Sequence, residues 1–187
     1  MTRRWEIELA GRGGQGLAVA GLILAEAAGV YEGKEVALTE VHGIASRGGP
    51  SRSEVIISDE EIDFPAVTRP DVLLAMTQKD CDIYSPSLRE GGVLIVDDTV
   101  SLVPILKSCG TYRLPLLRAA REELRSPISV NIVALGALAA LAPVVSREAL
   151  AKAIVARMPR TAEMNLRALE AGAQMARRAM EALGGKR

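Results

Sequence analysis

The chain has 187 residues, with 23 Lys+Arg against 23 Asp+Glu, two cysteines, one histidine and 3% aromatics. That length suits one domain able to bury its own core, and the balanced charge argues against a nucleic-acid binder. Two cysteines cannot form a Cys₄ iron–sulfur site or a disulfide-stapled scaffold, and one histidine leaves little for a metal site or acid–base chemistry.

Trp5-Glu6-Ile7-Glu8-Leu9-Ala10 reads as a strand that runs into the cluster Gly11-Arg12-Gly13-Gly14-Gln15-Gly16. Its alternation is unlike the apolar stretch of a signal peptide. Leu17 to Val30 is apolar except for Glu26, as expected of a helix buried on most sides. Strands are expected at Glu35–Val41, Ser53–Ser58 and Asp71–Met76, and a short helix at Gln78–Tyr84. Val93-Leu94-Ile95-Val96 is the kind of compact run that is buried on both faces of a sheet, with Asp97-Asp98 at its end. A further short strand is expected at Thr111–Leu114.

Beyond this point the sequence reads as helical. Pro115 opens a helix to Leu124, and Val130–Ala142 is an apolar one. Ser146-Arg147-Glu148 starts the next, which closes at Arg157-Met158-Pro159. The last runs from Thr161 to Leu183 and carries Ala162, Leu166, Leu169, Ala173, Ala176, Met180 and Leu183 on one stripe. The longest apolar run, Ile132–Val145, is short of the roughly 20 residues of a membrane span and contains Pro143. The expectation is a single cytoplasmic α/β domain over residues 1–187. Its three α/β/α layers would enclose a largely parallel or mixed sheet (about 5–114), with a Rossmann-like glycine loop after the first strand and a helical C-terminal region (115–187).

Two clusters carry chemistry. Gly11, Gly13 and Gly16 match the dinucleotide fingerprint between a strand and a helix, where glycine lets an anion approach backbone N–H groups. A tight packing turn explains the same pattern equally well. A nicotinamide site would further need an acidic residue ending the second strand, for which Glu40 is the candidate; Gly14 and the bulky Gln15 fit that reading poorly. The second cluster, His42 to Arg52, contains Arg47-Gly48-Gly49. Arg47 there could meet a phosphate or carboxylate, or pair with a local acid as an ordinary loop residue.

In order, Gly11-Arg12-Gly13-Gly14-Gln15-Gly16, Ser46-Arg47-Gly48-Gly49, Ser53-Glu54-Val55-Ile56-Ile57-Ser58-Asp59, Asp71-Val72-Leu73-Leu74-Ala75, Gly91-Gly92-Val93-Leu94-Ile95-Val96-Asp97 and Asn131-Ile132-Val133-Ala134-Leu135-Gly136 resemble the gamma subunit of 2-oxoacid:ferredoxin oxidoreductases. Asn165, Ala168 and Gly172 extend the likeness over the whole chain. Arg47–Ile62 looks most like the 2-oxoglutarate type, beside pyruvate, 2-ketoisovalerate and indolepyruvate relatives. His42-Gly43 departs from the tyrosine-glycine step usual before the arginine-glycine loop.

The resemblance implies coenzyme A-dependent oxidative decarboxylation of a 2-oxoacid, with ferredoxin as electron acceptor. It implies thiamine diphosphate, Mg and iron–sulfur clusters on alpha and beta, and in some complexes delta or ferredoxin-like, partner subunits, with none held by this chain. It implies no catalytic residue and no metal ligand here, and no nucleic acid or membrane partner. Gly11, Gly13, Gly14, Gln15, Gly16, Arg47, Gly48 and Gly49 would then frame the coenzyme A path or form a subunit interface. A stand-alone NAD-binding oxidoreductase and a purely structural scaffold are the other readings. A chain shaped to be covered by partners is also expected to dissolve poorly alone.

Overall fold

A computed structural model of the protein describes residues 3–42, 48–106 and 108–184. Six strands form one sheet: β1 (Arg4–Arg12), β2 (Glu35–His42), β3 (Pro50–Ser58), β4 (Val72–Ala75), β5 (Val93–Asp97) and β6 (Gly110–Leu114). Their spatial order is β2-β3-β1-β4-β5-β6. β1, β4, β5 and β6 are mutually parallel, whereas β3 is antiparallel to both β1 and β2. The sheet is therefore mixed. β1 runs two residues past the expected Ala10, because Gly11 and Arg12 still pair with Ser51 and Pro50 of β3. Local glycine punctuation loses there to strand pairing.

Period-two alternation divides the sheet's side chains between unequal layers. Ile7, Leu9, Val55, Ile57, Val72, Leu74 and Ile95 meet helices α1 (Leu17–Tyr31), α4 (Val130–Leu141), α5 (Arg147–Arg157) and α6 (Ala162–Gly184) in the main core. On the other face Leu73, Ala75, Leu94 and Val96 pack with Cys81, Leu88 and Val100, under only α2 (Gln78–Tyr84), a 3₁₀ turn and irregular chain. The three layers are present, and the second helical layer is thin.

The helix pair α4–α6 crosses closely at two glycines. A Cβ on Gly136 would lie 2.0 Å from the Leu169 carbonyl oxygen, and one on Gly172 would lie 1.9 Å from that of Val133. α6 buries Asn165, Ala168, Leu169, Gly172, Ala173 and Ala176. Leu183, expected on the buried stripe, is half exposed at the far end of the helix. Likewise α1 buries one side and leaves Val30 exposed at its last turn.

Ser146 caps α5 as expected, accepting from Ala149 N (3.1 Å). The expected helix from Pro115 to Leu124 is α-helical only in α3 (Leu116–Arg118), where Leu117 N donates to the buried Asp97 carboxylate (2.9 Å). It then widens into a π turn, Ala119–Glu123, with Leu124 N reaching Ala119 O at 3.0 Å.

Candidate functional site

The chain leaves β1 toward β2 on one side of the sheet, and β4 starts the other side. The parallel neighbours β1 and β4 thus bound a topological switch point, where ligands of α/β sheets bind beyond the C-terminal strand ends. A cavity of about 170 Å³ opens there, lined by Gly11, Arg12, Gly48, Pro50, Thr77, Lys79 and Asp80. A larger cavity of about 370 Å³ lies at the opposite end of β1, beside Arg3, Trp5 and Lys34. Its Lys34 is paired with Asp59, its Glu32 accepts from Ser146 N, and its Arg3 guanidinium sits 4.3 Å from the centre of the Trp5 ring.

The two glycine clusters meet. Gly13 N donates to Gly49 O at 2.8 Å, so the turn after β1 is tied to the start of β3. Arg12 N donates to Gln15 Oε1 (2.7 Å) and Gln15 N to Arg12 O (3.1 Å). Gln15, the residue that fits a nucleotide loop poorly, is thus the side chain that closes this turn. A Cβ on Gly11 would stand 2.4 Å from that Gln15 Oε1, which accounts for glycine at this position without any ligand. Gly14 has φ +95° and open space around it.

Gly16 caps α1 in the left-handed region, φ 72°, with no side-chain cap of its own. Its carbonyl accepts from Asn131 Nδ2 at the start of α4, 3.1 Å. Three amides of the turn are spent inside the chain, so the glycine loop is less of an anion cradle than its sequence suggests. Arg47 lies outside the described residues, as does the His42 side chain.

The charged groups that do reach the cavity are side chains. Arg12 and Lys79 are both exposed, and neither joins an ion pair among the described residues. Lys79 is held by the start of α2. There Thr77 caps the helix, accepting from Asp80 N (3.3 Å), while its hydroxyl donates to the Asp80 carboxylate. In the sequence, Thr77, Lys79 and Asp80 stand outside both glycine clusters, and Asn131 belongs only to the Asn131–Gly136 run of the family resemblance. The Thr77-x-x-Asp80 spacing is a readable capping signal, but nothing in the sequence says that α2 stands against the glycine turn.

Beneath the cavity, Glu8 of β1 and Arg52 of β3 lie on the thin-layered face. Arg52 Nη1 is 3.2 Å from Glu8 Oε1 and its Nη2 is 2.9 Å from Glu54 Oε1. Burial pushes the Glu8 carboxyl up to about 6; Arg52 opposes the shift, while Glu54 and Asp80 add to it. Two residues away, Glu6 goes the other way. Burial raises it, but N–H donations from Thr68 (2.8 Å) and Arg69 (3.1 Å), with Arg4, leave it below the ordinary carboxylate range.

The nicotinamide reading loses its geometry. β2, which carries Glu40, does not adjoin β1, because the antiparallel β3 lies between them. A ribose-binding acid belongs on the strand next to the glycine turn. The thiols are also apart in role: Cys81 is buried in the smaller core, where burial raises its pKa, and Cys109 Sγ donates to Arg89 O at 3.4 Å. Among the described residues no three His, Cys, Asp or Glu side chains stand together as a metal-binding group, and no helix is long and apolar enough to cross a membrane.

Comparison with known proteins agrees with this architecture. The model of the family described as pyruvate ferredoxin/flavodoxin oxidoreductase matches residues 6–175. The 2-oxoglutarate synthase subunit KorC of Methanocaldococcus jannaschii is 46% identical over 177 residues, covering 93% of this chain and 95% of that protein. The crystal structure of a keto/oxoacid ferredoxin oxidoreductase gamma subunit from Geobacter sulfurreducens superposes with a TM-score of 0.85 at 45% identity, over 95% of this chain and 98% of that one. A 2-oxoglutarate:ferredoxin oxidoreductase from Magnetococcus marinus, solved with 2-oxoglutarate, coenzyme A and succinyl-CoA bound, superposes with a TM-score of 0.84 at 25% identity. There 94% of this chain corresponds to 31% of a longer one.

Proposed function

The chain belongs to the pyruvate ferredoxin/flavodoxin oxidoreductase family as a gamma-type subunit of a 2-oxoglutarate:ferredoxin oxidoreductase, and from that premise we propose that the open end of its sheet frames the coenzyme A path of the assembled enzyme. The complex converts 2-oxoglutarate and coenzyme A to succinyl-CoA and carbon dioxide, passing two electrons to ferredoxin. Thiamine diphosphate with Mg, on a partner subunit, supplies the electron sink for decarboxylation, and partner iron–sulfur clusters carry the electrons onward. This chain contributes binding and shape. Alpha and beta subunits, with a ferredoxin-like subunit where one is present, are its partners in the cytoplasm.

The observation that carries the reading is the convergence of Arg12 and Lys79 on one cavity at the β1/β4 switch point. Two cations with no ion pair among the described residues suit the diphosphate of coenzyme A, and charge-assisted contacts would orient it. The glycine turn supports the pocket by letting β1, β3 and α1 approach one another.

The test is kinetic. In the reconstituted complex, Arg12→Ala, Lys79→Ala and Arg47→Ala should each raise KM for coenzyme A about three- to tenfold and leave KM for 2-oxoglutarate unchanged. Unchanged constants in all three variants overturn the reading. A second reading, that this end is a subunit contact, is favoured by the turn amides already spent within the chain. It predicts failure of the same variants to assemble.

A further inference from the structure

The three elements that wall the cavity also meet below it in a buried charge cluster. β1 contributes Glu8, β3 contributes Arg52 and Glu54, and α2 contributes Asp80 and Tyr84. Glu8 is 3% exposed, Glu54 9% and Asp80 6%. Arg52 bridges the two glutamates and lies 5.2 Å from the centre of the Tyr84 ring. Asp80, whose charge acts on Glu8, itself lines the cavity. Glu6, next on the same face of β1, is turned to the Thr68 and Arg69 amides and to Arg4. Arg52 pairs with Glu8 and Glu54, while the Asp80 carboxylate beside them accepts from the Thr77 hydroxyl, so the three carboxylates and one guanidinium carry a net charge of minus two when all are ionised.

An anion in the cavity meets that field, with the cations Arg12 and Lys79 on the same lining as Asp80. We propose that Glu8 is a proton-operated regulator of anion binding in this cavity: protonated, it favours the bound anion, and ionised, it opposes it. The proposal rests on the reading of the cavity as the coenzyme A diphosphate site. The Glu8 carboxyl is poised for the role, since its environment places its titration near pH 6 rather than in the ordinary carboxylate range. Linkage makes the effect reciprocal, so a bound anion draws a proton onto Glu8.

The test is equilibrium binding of coenzyme A to the assembled complex from pH 5 to pH 8, for the native protein and Glu8→Gln. Glutamine keeps a side-chain oxygen for Arg52 but cannot ionise. Phosphate groups of coenzyme A titrate in the same window, so the quantity read is the difference between the two proteins. The native complex should lose about three- to tenfold more affinity across the range than Glu8→Gln, with its break near pH 6.

Coincident profiles, with affinity still dependent on Lys79, overturn the proposal alone. Affinity indifferent to Lys79→Ala and Arg12→Ala overturns the cavity reading and the proposal with it. If Glu8→Gln does not assemble, Glu54→Gln decides, because removing that neighbouring charge should move the break to lower pH. An unmoved break overturns the proposal.

Discussion

Asn131, the second residue of α4, donates its side-chain amide to the carbonyl of Gly16 at 3.1 Å across 115 residues of sequence. That bond fastens the helix layer to the turn beyond β1. It also leaves no room at Gly16, where a Cβ would lie 2.7 Å from Asn131 Nδ2. Gly16→Ala therefore meets both a left-handed backbone and a clash. It should cost about 2–4 kcal/mol, against about 1 kcal/mol for Gly14→Ala, where only the backbone resists. Urea unfolding of the two variants gives the comparison, and equal midpoints would contradict it.

Glu6 and Glu8 share one face of β1 and respond oppositely to pH. The raised Glu8 means that ionisation disfavours the folded chain. Its cost is absent below about pH 4.5, grows as pH rises, and is complete above about pH 6. Glu8→Gln should therefore gain about 2 kcal/mol of stability relative to the native chain between pH 4.5 and pH 7. The lowered Glu6 stabilises the fold above its ordinary value, and that contribution is lost as pH falls through its depressed value. Glu6→Gln should accordingly be destabilising at pH 7 and nearly neutral in acid. Thermal midpoints across pH read both, and parallel curves for the two variants would contradict the assignment.

Gly136 and Gly172 face each other's helices with carbonyl oxygens about where a methyl would be. Alanine at either position must push α4 and α6 apart, loosening the main core. We expect a loss of more than about 3 kcal/mol for each. The double variant should lose less than the sum, because one displacement of the helix pair relieves both clashes. Strict additivity in denaturant titrations would argue against a shared crossing point.

The segment after β5 presents apolar side chains outward while its backbone is held. Gln78 accepts from Ser101 N and Leu102 N, both at 3.0 Å, and donates to Leu102 O at 2.7 Å. Leu102 is 75% and Ile105 99% exposed, with Ile83 exposed nearby. Leu102→Ser with Ile105→Ser should raise the soluble, monodisperse fraction of the isolated chain. Light scattering after identical purification checks this, and an unchanged aggregate fraction would place the liability elsewhere.

Most elements were legible because their patterns are strong. α2 falls on the expected Gln78–Tyr84, and the buried run Val93–Val96 is a central strand. Glycine, by contrast, signals a strand end locally, whereas pairing with β3 carries β1 on to Arg12. Strand order was also hidden: nothing local distinguishes a β2 beside β1 from one displaced by β3, and the nicotinamide alternative turned on that difference. At the site, the sequence showed the glycine turns because their composition is unusual. Lys79 and Asp80 look like ordinary surface residues of a short helix. Only their placement across from Arg12 gives them meaning.

β1 is hydrogen-bonded on both sides from Ile7 to Ala10, antiparallel to β3 and parallel to β4, whereas α2 is seven residues long. Amide exchange should grade these elements sharply. The β1 amides open only when the whole domain unfolds, while those of α2 exchange through local fraying. One wall of the cavity at the β1/β4 switch point is thus fixed on the timescale of the fold itself, and the wall bearing Lys79 breathes many times between global openings.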